Sequence, residues 1–458
     1  MVYPRILKFG GSSVADVAAV ERVTSVVREH GGPRPVVVVS AIAGATDALL
    51  AAADAAEDGD PRAPEPSLEA LFGRHASIAR RLAPPEAGDA LRGELEAARR
   101  DIARLLDRVA RERDQRPALR DEVASYGERL SASLLAAVLT SAGVAARYVD
   151  SRHCLTTDAT HGRANPLLPL TLERTRAILT PLLDGGLVPV LGGYIAATAD
   201  GITTTLGRGG SDYSAALVGA ALDAQEIQIW TDVNGVLTAD PRVVPGARTV
   251  ASLSYAEAAE LAYFGAKVLH PKTIQPAMDR DIPVRICNSR APRDPGTVVT
   301  AVGEVRPGGV KAIAHKCGVT ILQITSTRML GAYGFLRALF DVFDRHRTAV
   351  DVVTTSEVSV SLTVDDTASL DGIVADLRGL GTVSLEPDRA IVCVVGEGLR
   401  TTPGIAARVF ATVRDINVSL ISQGASRVNL TFVVEEARVR EAVCRLHQAF
   451  FEPTRSVA

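Results

Sequence analysis

The run at residues 35–40, PVVVVS, is apolar almost without interruption. A half-exposed strand alternates apolar and polar positions, whereas a continuous run is typical of a strand covered on both faces. This restricts the chain to folds in which helices flank a sheet. Shorter strand-like runs recur at 5–9, 145–149, 188–191, 226–230 and 284–287. Helical stretches separate them at 17–30, 122–140, 172–183 and 255–263. Strand and helix alternate through residue 300, which predicts an α/β fold with a largely parallel sheet sandwiched by helices. Between residues 47 and 119 the composition turns Ala/Arg/Glu/Leu-rich. Residues 87–113 have helical spacing with charges outward, and Pro61, Pro64 and Pro66 predict a loop before them.

The loops carry the chemistry. Residues 202–240 contain Gly207-Arg208-Gly209-Gly210-Ser211-Asp212, then a small-residue helix, then a strand ending on Thr231-Asp232. A glycine loop opening a helix exposes backbone N–H groups to anions. Polar residues just past the carboxyl end of a strand lie where open α/β sheets bind ligands. A second such turn, Gly10-Gly11-Ser12-Ser13, follows the strand at 5–9 and places Lys8 at its end. It matches neither the Walker pattern, since the lysine precedes the glycines, nor GxGxxG. Local pattern alone fits a phosphate cradle and a plain turn with a solvated lysine equally well. Ser40 and Thr46 bracket a third small-residue loop; taken singly each reads as a helix cap, taken together they can face a substrate. Glu128 is expected close to a helix start, favourable with the helix dipole, either as a surface residue or as a partner for an ammonium group. Lys267, in FGAKVLHP, is a second isolated lysine beside a glycine, and Asp240 and Arg242 close the loop after Asp232.

After a Pro/Gly linker at 306–310 the pattern changes. Strand, glycine turn, helix and two strands occur twice, at 319–364 and 390–434. Recurrence at about 70 residues reads as two copies of one small module. Each glycine turn opens a helix beside strand edges, which suits a small amino acid, dimerisation, or both.

At 458 residues the chain has room for about three domains. The net charge of −3 argues against general nucleic-acid affinity, which needs a basic face. Five scattered cysteines give no disulfide or zinc framework and fit a reducing, intracellular setting. The first residues lack a signal-peptide pattern, and no apolar run approaches the ~20 residues needed to span a membrane. The expectation is a soluble, cytoplasmic protein with no membrane partner.

Five motifs, in order, make the likeness specific: residues 8–14 (KFGGSSV), 205–215 (TLGRGGSDYSA), 230–242 (WTDVNGVLTADPR), 264–271 (FGAKVLHP) and the tail at 329–336 with 350–365. Together they resemble the monofunctional aspartate kinases of the amino-acid kinase superfamily, whose kinase fold is followed by two ferredoxin-like ACT modules. The resemblance implies a catalytic domain at 1–303 and a linker with a strand lent to the second ACT module at 304–318. The modules themselves would span 319–386 and 387–458, one inserted within the other. It implies phosphoryl transfer from Mg-ATP to the β-carboxylate of L-aspartate, giving 4-phospho-L-aspartate, the start of the route to lysine, threonine and methionine. It also implies feedback by lysine or threonine and a homodimer or larger assembly. Carried over residue by residue, Lys8, Lys267 and Asp212 are the catalytic candidates, and Thr46, Glu128, Arg208 and Asp212 the substrate contacts. Lys8, Gly10, Gly11, Thr231, Asp232, Leu237, Arg242, Lys267 and Val268 match nucleotide-binding positions, Leu237 replacing an aromatic residue of some relatives. Effector positions correspond to Met329, Ala332, Gly334, Phe335, Leu336, Val350, Asp351, Ser356 and Glu357; Ala332 stands where some lysine-sensitive relatives have serine. No protein-held metal site is expected. The competing readings are a kinase for another amino acid, such as glutamate, and a catalytically inactive ACT-type amino-acid sensor.

Overall fold

The structure, a computed structural model, describes residues 3–60, 65–265, 269, 271–304, 309–331 and 333–452. The chain forms two compact units, one of Met1–Val236 with Leu269–Ala301, the other of Leu237–Val268 with Val302–Ala458.

In the first unit seven strands follow one another in the order Ala146–Val149, Val188–Gly192, Pro35–Val39, Arg5–Phe9, Glu226–Thr231, Val284–Asn288 and Thr297–Thr300. All neighbours are parallel except the last pair. The run PVVVV is buried at every position, as a strand covered on both faces requires. Helix Val17–His30 connects Arg5–Phe9 to the strand on one side, and helix Gly210–Ala221 feeds the strand on the other. The loops after these three strands therefore open where the strand order reverses, the usual ligand crevice of such sheets. Helices Ala45–Glu57, Glu65–Leu82 and Pro85–Arg111 account for the Ala/Arg-rich region. Their apolar faces, with Leu49, Phe72, Leu95 and Ile102, join the main core.

One helix departs from expectation. Arg116–Ser141 begins six residues before 122, because Pro117 sits in its first turn, where a missing N–H costs nothing. Glu128 is therefore mid-helix and buried, not a helix-start residue aided by the dipole, and the surface reading of it also fails.

The second unit carries a six-stranded sheet in the order Val353–Thr355, Ser359–Val364, Ala312–Thr325, Thr382–Val395, Asn429–Glu435, Leu420–Gln423. All neighbours are antiparallel. The two central strands are longer than the sequence pattern indicates, 14 residues each. They run side by side through register shifts near Lys316 and Val319. Helices Phe335–Arg345 and Leu370–Leu377 build one small core with Leu322, Val360 and Leu362. Ile405–Thr412 and Glu436–Phe451 build another with Val392, Val394 and Phe432. The second helix of each half went unread in the sequence. Gly334 and Gly404, at φ +81° and +79°, start the first helix of each half, a left-handed backbone that favours glycine. Ala239 and Val244, from the Leu237–Val268 segment, are part of the second core.

Candidate active site

Lys8 is the fourth residue of its strand, in register with Val38 on one side and Ile229 on the other. Its ammonium Nζ lies 2.7 Å from Asp212 Oδ1. That oxygen is buried and receives no well-directed hydrogen bond, so the approach is a charge contact. Both side chains keep some solvent contact, at 12% and 17% exposure. Next to Lys8, Gly10 donates its N–H to the Trp230 carbonyl at 3.4 Å. Gly11 packs so closely on the following loop that a Cβ there would stand 2.7 Å from the Ala41 carbonyl oxygen. The glycine is required for that approach, since a backbone oxygen cannot move aside cheaply.

Glu128 projects into the crevice from its helix. Its carboxylate accepts from the Tyr194 backbone N–H and, at 3.0 Å, from Ser211 Oγ, which in turn accepts from Ser40 Oγ at 2.9 Å. Room for this packing comes from two glycines: a Cβ on Gly192 would meet Glu128 Cβ at 2.9 Å, and one on Gly193 would meet Ser211 Cβ at 2.5 Å. Burial raises the Glu128 pKa from 4.5 to about 7, against the opposing pull of the Tyr194 amide, Ser211 and Lys8. A desolvated carboxylate with few neutralising partners behaves this way.

Lys8, Gly11, Thr46, Glu128, Arg208 and Asp212 line one cavity of about 370 Å³, together with Ser40, Tyr194 and Ser211. Neither Ser40 nor Thr46 caps a helix. Gly44, at φ +77°, is the N-cap of Ala45–Glu57 and Thr46 lies in the first turn, so the capping alternative is excluded for both hydroxyls. Arg208 is exposed at the rim. It makes no hydrogen bond or ion pair to any described residue, while the Gly209 backbone at φ +77° turns the chain into helix Gly210–Ala221. Of these residues, Tyr194 and Ser211 drew no assignment from the sequence. Ser211 stood in the glycine loop, but a hydroxyl relay and a backbone amide become visible only once three loops meet.

The sequence profile of the Amino acid kinase family matches residues 4–288, and that of the ACT domain residues 392–450. Over 455 residues the chain is 39% identical to the lysine-sensitive aspartokinase 3 of Escherichia coli (strain K12), covering 98% of this chain and 99% of that protein. The chain belongs to the aspartokinase family. Two crystal structures of E. coli aspartokinase III align with it at a TM-score of 0.82, each covering 98% of this chain and 100% of the other. One is the complex with aspartate and ADP (R-state), at 38% identity; the other is the complex with lysine and aspartate (T-state), at 39%.

The remaining positions matched to the family fall elsewhere. Thr231 ends the strand beside Lys8 and Asp232 follows it, and the Thr231 carbonyl accepts from Ser289 N at 2.8 Å. Leu237 and Arg242 belong to the second unit. Leu237 bridges Thr249, and Arg242 is held by Asp240 at 2.6 Å, which keeps that carboxyl below its usual range. Lys267, Val268 and Ala332 lie outside the described residues. Met329 ends a short turn, and Phe335 and Leu336 open the helix behind Gly334. Ser356 and Glu357 are exposed, and Val350 packs against the first ACT core. The Asp351 side chain is 2% exposed and already engaged, by Lys316 Nζ at 2.9 and 3.0 Å and by the Tyr263 hydroxyl. No helix among the described residues is long and apolar enough to cross a membrane.

Proposed function

We propose that this chain transfers the γ-phosphoryl group of ATP to the β-carboxylate of L-aspartate, giving 4-phospho-L-aspartate and ADP. The observation that carries the reading is the charge layout of the cavity: a buried carboxylate, Glu128, and a cation without a partner among the described residues, Arg208, beside the Lys8–Asp212 pair. An α-amino acid offers the complementary set. Arg208 suits a bidentate grip on the α-carboxylate, and Glu128 suits the α-ammonium, assisted by Asp212, with Thr46 as a hydrogen-bond partner.

The nucleophile is a carboxylate, ionised at neutral pH from its ordinary pKa of ~3.9, so no general base is needed. The protein must neutralise two anions and align them. Lys8 serves the transferring phosphoryl, with the Gly10 and Gly11 amides on phosphate oxygens and Lys267 as the second cation. Thr231, Asp232, Leu237, Arg242 and Val268 complete the nucleotide contacts. Mg²⁺ arrives as part of the nucleotide substrate. It keeps several waters and takes one or two carboxylates with the phosphates, a demand that Asp212, on the cavity wall, fits.

The same reading assigns residues 1–303 to catalysis, 304–318 to a linker and lent strand, and 319–386 and 387–458 to the ACT modules. The modules would bind lysine first, threonine second, at Met329, Ala332, Gly334, Phe335, Leu336, Val350, Asp351, Ser356 and Glu357. Feedback then requires the effector to prefer a less active state. A cytoplasmic homodimer or larger assembly serving lysine, threonine and methionine synthesis completes the proposal. ADP release from Mg-ATP with L-aspartate, alone and with lysine or threonine, tests it. Aspartate-dependent turnover suppressed by one of these amino acids is the expected result; folded protein without aspartate-dependent turnover would overturn the substrate.

A further inference from the structure

Asp121 lies seven residues, two helical turns, before Glu128 on the helix Arg116–Ser141, and is 4% exposed. Its carboxylate does not line the cavity, yet it ties the run that leads to the rim at Gly207 and Arg208 to the loop packed behind it. Oδ1 accepts from Thr205 Oγ1 at 2.6 Å, and Oδ2 from the Thr205 backbone N–H at 3.2 Å. The Gly162 N–H approaches both oxygens at 3.1 Å, and His161 Nδ1 lies 2.8 Å from Oδ2. Thr205 is three residues before Arg208. Gly162 backs the same turn: a Cβ on Gly207 would stand 3.2 Å from the Gly162 carbonyl oxygen. The 205–207 run is further tied by Ala164 N to the Thr205 carbonyl at 2.8 Å and Leu206 N to the Tyr194 carbonyl at 3.0 Å.

We infer that Asp121 is a positioning residue for recognition of the substrate α-carboxylate, acting through Thr205 and Gly162 on the backbone that presents Arg208. This rests on the substrate reading above and extends it. Arg208 has no side-chain partner among the described residues, so its placement depends on its backbone. That backbone is fixed from beneath by a carboxylate that accepts from donors on both loops at once. Asparagine keeps the shape of the side chain but replaces one acceptor oxygen with an N–H donor facing donors; since each oxygen accepts from both loops, the hold on both is weakened.

The test compares two competitive inhibitors of aspartate turnover. Succinate keeps both carboxylates and lacks the ammonium; β-alanine keeps the ammonium and one carboxylate. In Asp121→Asn, succinate inhibition weakens about tenfold, the scale of one charge-assisted hydrogen bond, whereas β-alanine inhibition changes less than about twofold. The KM for ATP stays unchanged while that for aspartate rises. Thr205→Val, which removes only the hydroxyl donor, gives the same pattern with smaller size and decides the matter if Asp121→Asn does not fold. Equal losses for both inhibitors, or none, in folded variants overturn the inference. Arg208→Ala separates the two levels. If it spares succinate selectivity, the assignment of Arg208 fails; if it removes that selectivity while Asp121→Asn and Thr205→Val keep it, only the role of Asp121 fails.

Discussion

Two side chains in the cavity carry opposite electrostatic burdens. Lys8 is held by one carboxylate and stays partly solvated, ready to exchange that partner for a phosphoryl group. Lys8→Met is expected to lower kcat by ~10²-fold or more, the scale for removing a cation aimed at transition-state charge, with only a modest change in KM for aspartate, as steady-state ADP release would show. Glu128 is the reverse case, a carboxylate whose burial raises its pKa to about 7. An ammonium ligand favours the ionised form, so the KM for aspartate should climb as pH falls from 8 to 6. In Glu128→Gln that KM should be high and flat across the same range. The stability effect has a definite sign. Folding raises this pKa above 4.5, so its contribution is present below about pH 4.5 and is lost as pH rises through about 7. Thermal unfolding should accordingly show Glu128→Gln gaining on the parent chain between pH 5 and 8; an unchanged gap would contradict the burial account. At this scale residue types were legible and environments were not. KFGG and GRGGSD announce a cation, a carboxylate and amides, but no local pattern reveals that a glutamate inside a long apolar helix ends buried against Gly192.

Among the elements, the short helix Tyr255–Tyr263 is fastened along one face. Ser254 and Glu257 form a reciprocal cap, Glu257 Oε2 meets Lys311 Nζ at 2.8 Å, and Glu260 accepts from Asn429 Nδ2 at 2.7 Å. Lys311 and Glu257 are both wholly buried. Removing one partner of such a pair strands the other charge and costs about 3–5 kcal/mol. Lys311→Met should lower the denaturant midpoint of the second unit by a corresponding amount, and the double variant Lys311→Met, Glu257→Gln should recover much of it. The extent of this helix was plain in the sequence, since SYAEAAELAY carries its own cap. Its partners were not, because a lysine between a Pro/Gly linker and a strand looks like any solvated charge. The sheet of the second unit shows the same limit. Its glycine turns and first helices repeat visibly, whereas the 14-residue central strands gain their length from pairing with each other, a tertiary effect that strand patterns do not record.

For the molecule as a whole, the division of the chain is the feature that sequence order conceals. The family resemblance places the catalytic boundary near 303, yet Leu237–Val268 clusters with the C-terminal unit. A chain ending at residue 303 would leave Ala239, Val244 and Glu257 without the core and the lysine that cover them. We expect it to aggregate or to lack aspartate-dependent ADP release, whereas co-expression with residues 304–458 should restore soluble material. Soluble, active protein from 1–303 alone would refute this dependence. Reading order along the chain supplied the parallel-sheet architecture because strands and helices alternate there, but a segment that leaves one unit to complete another obeys contacts rather than order. The same excursion has a consequence during synthesis. At about 5–20 residues per second, Leu237–Val268 leaves the ribosome some ten to forty seconds before its packing partner Glu436–Phe451. Throughout that interval the nascent protein holds a finished stretch whose mate has yet to be translated, and its fate rests with whatever shields it until the last helix arrives.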